Sequence, residues 1–160
     1  MPGIIFVADD GTEVTVPEDN LVKLEYVHGL WESTGGTDTF RFAFNLPYPT
    51  TADDLRRIVA FHTNPDTALD GMDSQRLFYM FKRADYLGYY KLIAEVCSKM
   101  YLDIHNMTED EIVHYFGQDT PPTREEELEV RQKFPDPWTK LPSEFVDEMK
   151  QYDWAAKFTE

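Results

Sequence analysis

The stretch from Arg83 to Cys97 constrains this chain more than any other. Ahead of it, Leu77, Met80, Phe81 and Ala84 recur at helical spacing, and after it Leu92, Ile93, Val96, Cys97 and Met100 do the same. Tyr86 and Leu87 fall at the corner between the two apolar faces, where Gly88 relaxes the backbone. Two helices meeting at a tight corner, both this apolar, must be buried between other elements. The upstream residues are therefore expected to cover one side of the hairpin, and the downstream residues to add helices to the other.

Upstream, Ile4-Ile5-Phe6-Val7-Ala8 reads as a strand, Asp9-Asp10-Gly11 as a hairpin turn, and Thr12 to Val16 as the return strand. Pro17 opens a helix, and Leu21, Leu24, Val27, Leu30 and Trp31 give it one apolar stripe. Ser33 to Asp38 is a loop, and Thr39 to Phe44 alternates as a strand with a phenylalanine face. Leu46-Pro47-Tyr48-Pro49 ends that strand, because proline cannot continue a ladder. Thr51 caps a helix with Asp53 and Asp54 in its positive first turn and Leu55, Ile58, Val59 and Phe61 on its inward face. Asn64-Pro65-Asp66 stops it, and a loop or single turn leads to Met72.

Downstream, Thr108-Glu109-Asp110-Glu111 is a capping box that opens a helix through Ile112, Val113 and Phe116, ended by Gly117. Pro121-Pro122 makes a rigid link. Thr123-Arg124-Glu125-Glu126 is a second capping box, opening a charged helix to about Lys133. Phe134 to Trp138 breaks it, and Ser143 caps a short helix carrying Phe145 and Met149, before Trp154 and Phe158. The order is a small strand-rich front interleaved with helices, then helices alone, which is a mixed α/β (α+β) fold. The run of aromatic side chains on short, proline-broken helices at the far end is more than those helices can bury among themselves, so it favours an exposed apolar groove and a partner.

The remaining chemistry is excluded by composition and spacing. A net charge of -15, from 30 acidic and 15 basic side chains, repels phosphate backbones and anionic lipid, so neither nucleic acid nor membrane is an expected partner. Basic protein surfaces suit such a field, and the acidic run Glu125-Glu126-Glu127 could meet one. Cys97 is the single cysteine, so no internal disulfide forms, and its place on an apolar helix face makes it a core residue rather than a nucleophile. The N-terminal residues lack the basic and apolar regions of a secretory signal, and no apolar run reaches membrane-spanning length, so cytoplasm and nucleus are the expected compartments. His28, His62, His105 and His114 are scattered without metal-site spacing. The stretch Asp66 to Leu77 echoes a calcium loop but has Ala68 and Leu77 where ligands belong. No phosphate-binding glycine loop and no nucleophile elbow is present, so neither an enzyme nor a cofactor is expected.

Ala84-Asp85-Tyr86-Leu87, Leu92, Cys97, Ile104, Thr108, Glu111-Ile112, Phe116, Thr123, Glu125-Glu126-Glu127 and Val130-Arg131 together resemble, without gaps, the C-terminal half of the Skp family. These are the S-phase-kinase-associated adaptors of SCF ubiquitin ligases. The resemblance extends over nearly the whole chain up to Trp138. It implies a BTB/POZ domain over 1–103, F-box-binding helices over 104–138 and a C-terminal extension over 139–160. It further implies a non-enzymatic adaptor linking F-box proteins to a cullin. The F-box face would comprise Met100, Ile104, Met107, Ile112, Phe116, Val130 and Trp138, and the cullin face Asp85 and Tyr86. With no F-box in place, the open groove would favour a homodimer. Asp85 stands where the family usually has Asn, and the F-box side keeps the pattern better than the cullin side. The alternative is a structural subunit that grips an F-box-like partner in a kinetochore or chromosomal assembly without a cullin.

Overall fold

The computed structural model describes residues 3–117 and 119–133, with 143, 147, 148, 150 and 151. The fold is mixed α/β: β1 (Ile4–Val7), β2 (Glu13–Thr15), α1 (Glu18–Leu21), α2 (Glu25–Ser33), β3 (Phe40–Ala43), α3 (Ala52–Ala60), α4 (Ser74–Leu87), α5 (Tyr90–Ile104), α6 (Glu109–Tyr115) and α7 (Arg124–Lys133). The expectations for Phe134, Trp138, Phe145, Met149, Trp154 and Phe158, and for the helix after Ser143, lie outside the described residues.

The sheet is built around β1. Alternation along Ile4-Ile5-Phe6-Val7 buries Ile4 and Phe6 and leaves the other two half-buried. Gly11 turns the chain at φ 85°, and the Thr12 amide donates to the Asp10 carboxylate at 2.9 Å. The chain then returns as β2, antiparallel to β1, with Phe6 opposite Val14. On its other edge β1 pairs in parallel with β3, Phe6 opposite Phe42, so the order is β2-β1-β3. Phe42 packs edge-on to Phe44 with ring centroids 5.2 Å apart, and Phe44 to Phe6 at 5.4 Å. This is the phenylalanine face read from the sequence.

The single helix expected from Pro17 to Trp31 is instead two. Leu24, at φ −100° and ψ 68°, leaves helical geometry between α1 and α2. The cause lies in the spacing: Leu21, Leu24, Val27 and Leu30 repeat every third residue, and on a straight helix each such step drifts about 60° round the axis. The break resets the stripe, so that Leu21, Leu24 and Val27 all stay in the core. It also places the buried Asn20 amide to donate to the Val59 carbonyl at 3.0 Å.

The helical hairpin forms as the sequence predicts. Gly88 sits at φ 67°; its amide donates to the Asp85 carbonyl at 3.0 Å and that of Tyr89 to the Ala84 carbonyl at 2.9 Å, the Schellman arrangement. A side chain could not replace this glycine cheaply. A Cβ there would stand 3.0 Å from the Tyr26 backbone nitrogen, so the bare backbone is what lets α2 approach the corner. Leu77, Met80, Ala84 and Leu87 of α4 and Leu92, Ile93, Val96 and Met100 of α5 join one core with the sheet, α1, α2 and α3. Among the described residues, every buried one lies between Ile4 and Met100.

One polar network crosses this core. Thr51 caps α3 in a reciprocal box with Asp54. Arg83 is 2% exposed; it pairs with Asp54 at 3.4 Å, donates to Thr50 Oγ1 at 3.3 Å and donates to the Pro49 carbonyl. Arg76 joins Asp54 at 3.4 Å and Asp53 at 3.0 Å, and Arg57 joins Asp53 at 2.9 Å. Hydrogen bonds from Arg57 and Arg76 hold the Asp53 carboxyl below its usual range. Thr50 in turn donates its amide to Asp9 at 2.8 Å, which ties the end of β1 to α3 and α4.

Cys97 is half-buried on α5, and burial pushes its thiol up to about 11 from an ordinary 9.0. At neutral pH the group is a thiol in both folded and unfolded chains. Above about pH 9 the unfolded chain loses this proton and the folded chain keeps it, so stability falls as pH rises toward about 11. Cys97→Ala should flatten that decline, read as the difference between denaturant midpoints at pH 8 and pH 10.5; an unchanged slope would rule the assignment out.

Candidate protein-docking face

Past Met100 the character of the chain changes. Thr108 Oγ1 accepts the Glu111 amide at 3.3 Å while the Glu111 carboxylate takes the Thr108 amide at 2.7 Å, so the first capping box closes as the sequence predicts. Those bonds hold the Glu111 carboxyl below its ordinary range. Gly117, at φ 72°, ends this segment. The second box also closes: the Thr123 amide donates to Glu126 at 2.8 Å and the Glu126 amide to Thr123 at 3.3 Å. Both helices are locally specified, yet neither α6 nor α7 contributes a buried residue.

Helix α6 is attached at one side. Tyr115 Oη donates to Asp103 at 2.8 Å, and burial with that carboxylate raises the phenol above its usual value. Phe116 meets Phe78 of α4 edge-on at 6.1 Å. The opposite side of α6 faces α7 across a cleft of about 580 Å³. Val113, Pro121, Pro122 and Val130 give the cleft its apolar lining, and Glu126, Glu129 and Lys133 its charged rim. Val130 is 58% exposed. Leu128, 48% exposed, stands two residues away, about 200° round the helix, and so on the far side of α7. A second hollow of about 560 Å³ opens beside Met107, Glu111 and Tyr115.

The residues assigned to the F-box face therefore divide. Met100 is buried beneath the face. Ile104, Met107 and Ile112 are half-buried along α5, its C-terminal turn and α6. Phe116 and Val130 are exposed, and Trp138 lies outside the described residues. Asp85 is exposed in the final turn of α4, where the helix has no basic residue to offset the carboxylate against its negative end. Tyr86 is half-buried, its ring 5.7 Å from Phe42, 6.2 Å from Phe44 and 5.9 Å from Tyr26, which is 50% exposed.

Tyr26 at this corner was not legible as a surface residue of interest; its place follows from the break before α2. Tyr48 was not legible either: it is buried, stacks on Tyr79 at 4.5 Å and lies under Lys82 and Arg83. Among the described residues no group of three or more His, Cys, Asp or Glu side chains is placed to hold a metal ion, and no helix is long and apolar enough to cross a membrane. No protein-family model matches the chain, and a search of curated proteins finds no match.

Proposed function

We propose that this chain is a non-enzymatic adaptor, built on a BTB/POZ-type body, that receives a helix of an F-box protein in the cleft between α6 and α7 and presents the Asp85–Tyr86 corner to a cullin. The observation that carries the reading is the pair of locally well-capped helices that contribute no fully buried residue, with Val113, Pro121, Pro122 and Val130 lining an open cleft. A helix laid in a groove takes its affinity from apolar anchors of this kind. The order of strand hairpin, parallel third strand and helical hairpin supports the BTB/POZ part. The net charge of -15 supports steering of a basic partner. Pull-down of an F-box domain and of a cullin N-terminal domain by the full chain tests both halves, and failure to retain the F-box domain ends the proposal.

A second reading, a structural subunit that holds an F-box-like partner without a cullin, is favoured by Asp85. A carboxylate at the centre of a docking face costs several kcal/mol, on the order of 2–5, if the partner brings no counter-charge. Asp85→Asn is expected to restore or strengthen cullin capture. It should also raise stability by up to about 1 kcal/mol, since it removes a negative charge from the negative end of α4. Capture that is absent from both proteins, with F-box binding intact, decides for the structural subunit.

A further inference from the structure

A cleft of about 490 Å³ lies between α4 and the C-terminal end of α6. Ser74, Phe78, Tyr79 and Lys82 line it from α4, and His114 and Phe116 from α6 and its cap. Its charge sets it apart. Among the described residues no aspartate or glutamate lines it, although the chain carries 30 of them. The cleft between α6 and α7 has Glu126 and Glu129, and the hollow beside Met107 has Asp110 and Glu111.

The polar groups of this cleft are uncommitted. Lys82 is exposed and forms no ion pair among the described residues. Ring faces hold it instead: its ammonium stands 4.7 Å from the centre of Phe78 and 5.8 Å from that of Tyr48. No hydrogen bond among the described residues engages the Ser74 hydroxyl or the His114 ring, which offers an N–H in either tautomer. Phe116 meets Phe78 edge-on and is itself 38% exposed, so apolar surface stays open beside the cation. A molecule that uses both features carries a negative charge and a flat apolar body. The net charge of -15 selects among anions: that field opposes an acidic peptide or a polyphosphate strongly and a single carboxylate least.

We propose that this cleft binds a small aromatic monocarboxylate, its carboxylate on Lys82 and His114 and its ring against Phe78 and Phe116. The cleft has the size of an ordinary small-molecule site. The proposal does not rest on the F-box reading. Phe116 is the one residue of this lining that also belongs to the face assigned to that partner, and Val113 and Val130 line the other cleft.

Titration of the isotope-labelled full chain with phenylpropionate, followed by its amide chemical shifts, tests the site. The expected result is saturable shifts confined to α4 around Phe78 and Lys82 and to the stretch from His114 to Gly117, with a Kd of about 1 mM or tighter, as a ligand of that size reaches. Phenylpropanol has the ring without the charge, and acetate the charge without the ring. Each should bind at least about tenfold more weakly, the effect of losing one charge-assisted contact or the apolar burial of the ring. Lys82→Met keeps the apolar stem over Phe78 and should lose phenylpropionate affinity by the same factor, while Lys91→Gln, an exposed lysine at the start of α5, should lose none. Shifts that do not saturate or that scatter over the surface overturn the proposal. So does equal binding of phenylpropanol or acetate, and so does unchanged affinity in a Lys82→Met protein whose spectrum otherwise matches the parent.

Discussion

Arg83→Ala is expected to lower the stability of the fold by about 3 kcal/mol, toward the lower end of the 3–5 kcal/mol typical when one partner of a buried ion pair is removed. The lower end applies because Asp54 keeps Arg76 at 3.4 Å and the Thr51 box. What is lost is the group that joins α4 to the turn before α3. The Pro49 carbonyl and Thr50 hydroxyl lose their donor, the Asp54 carboxylate loses its buried counter-charge, and Tyr48 loses the guanidinium 5.2 Å from its ring. Burial already pulls the Arg83 guanidinium down from its ordinary value, and Asp54 opposes that. Arg83→Lys should recover little, because a single ammonium cannot serve acceptors arranged for a planar fork. Denaturant unfolding reads the effect as a lower midpoint at unchanged slope. A loss below about 1 kcal/mol would mean that the network is incidental.

Val130→Glu is expected to leave stability within about 0.5 kcal/mol of the parent, as for exposed sites generally, while weakening F-box binding by at least about 30-fold, the effect of losing a single hot spot. The residue is more than half exposed and lines the cleft, so its apolar surface is open to a partner helix under the proposed reading. Leu128→Glu is the matched control: nearly as exposed, on the same helix, but turned away from the cleft. It should bind within about threefold of the parent, as a residue outside the anchor cluster does. Equal losses at both positions would place the partner elsewhere on α7.

These expectations mark what the residues alone disclose. The hairpin is legible because Gly88 interrupts two clear stripes, and the caps at Thr51, Thr108 and Thr123 are legible because each box is local in sequence. Arg83 is the instructive miss. It falls with Met80, Ala84 and Leu87 on one helical face, so the spacing itself places it inside, yet an arginine reads as surface until Asp54, Thr50 and Pro49 are brought to it from the segment before and within α3. Parallel pairing of β1 with β3 rests on contacts far apart in the chain, which no local pattern specifies. Met100 shows the same limit at the candidate site. Its spacing from Leu92, Ile93 and Val96 continues the inward stripe of α5, so it sits under the face and supports it. The exposed lining, by contrast, depends on how α7 is set against α6, and the rigid Pro121-Pro122 link between them was the only local signal for that cleft.

Isothermal titration of the full chain with an isolated F-box domain tests the central claim most directly. The account predicts saturable one-to-one binding at micromolar affinity or tighter, with the negative heat-capacity change of apolar burial, and protection from hydrogen exchange over α6 and α7. No heat and no protection across those helices, with the fold intact, would contradict it.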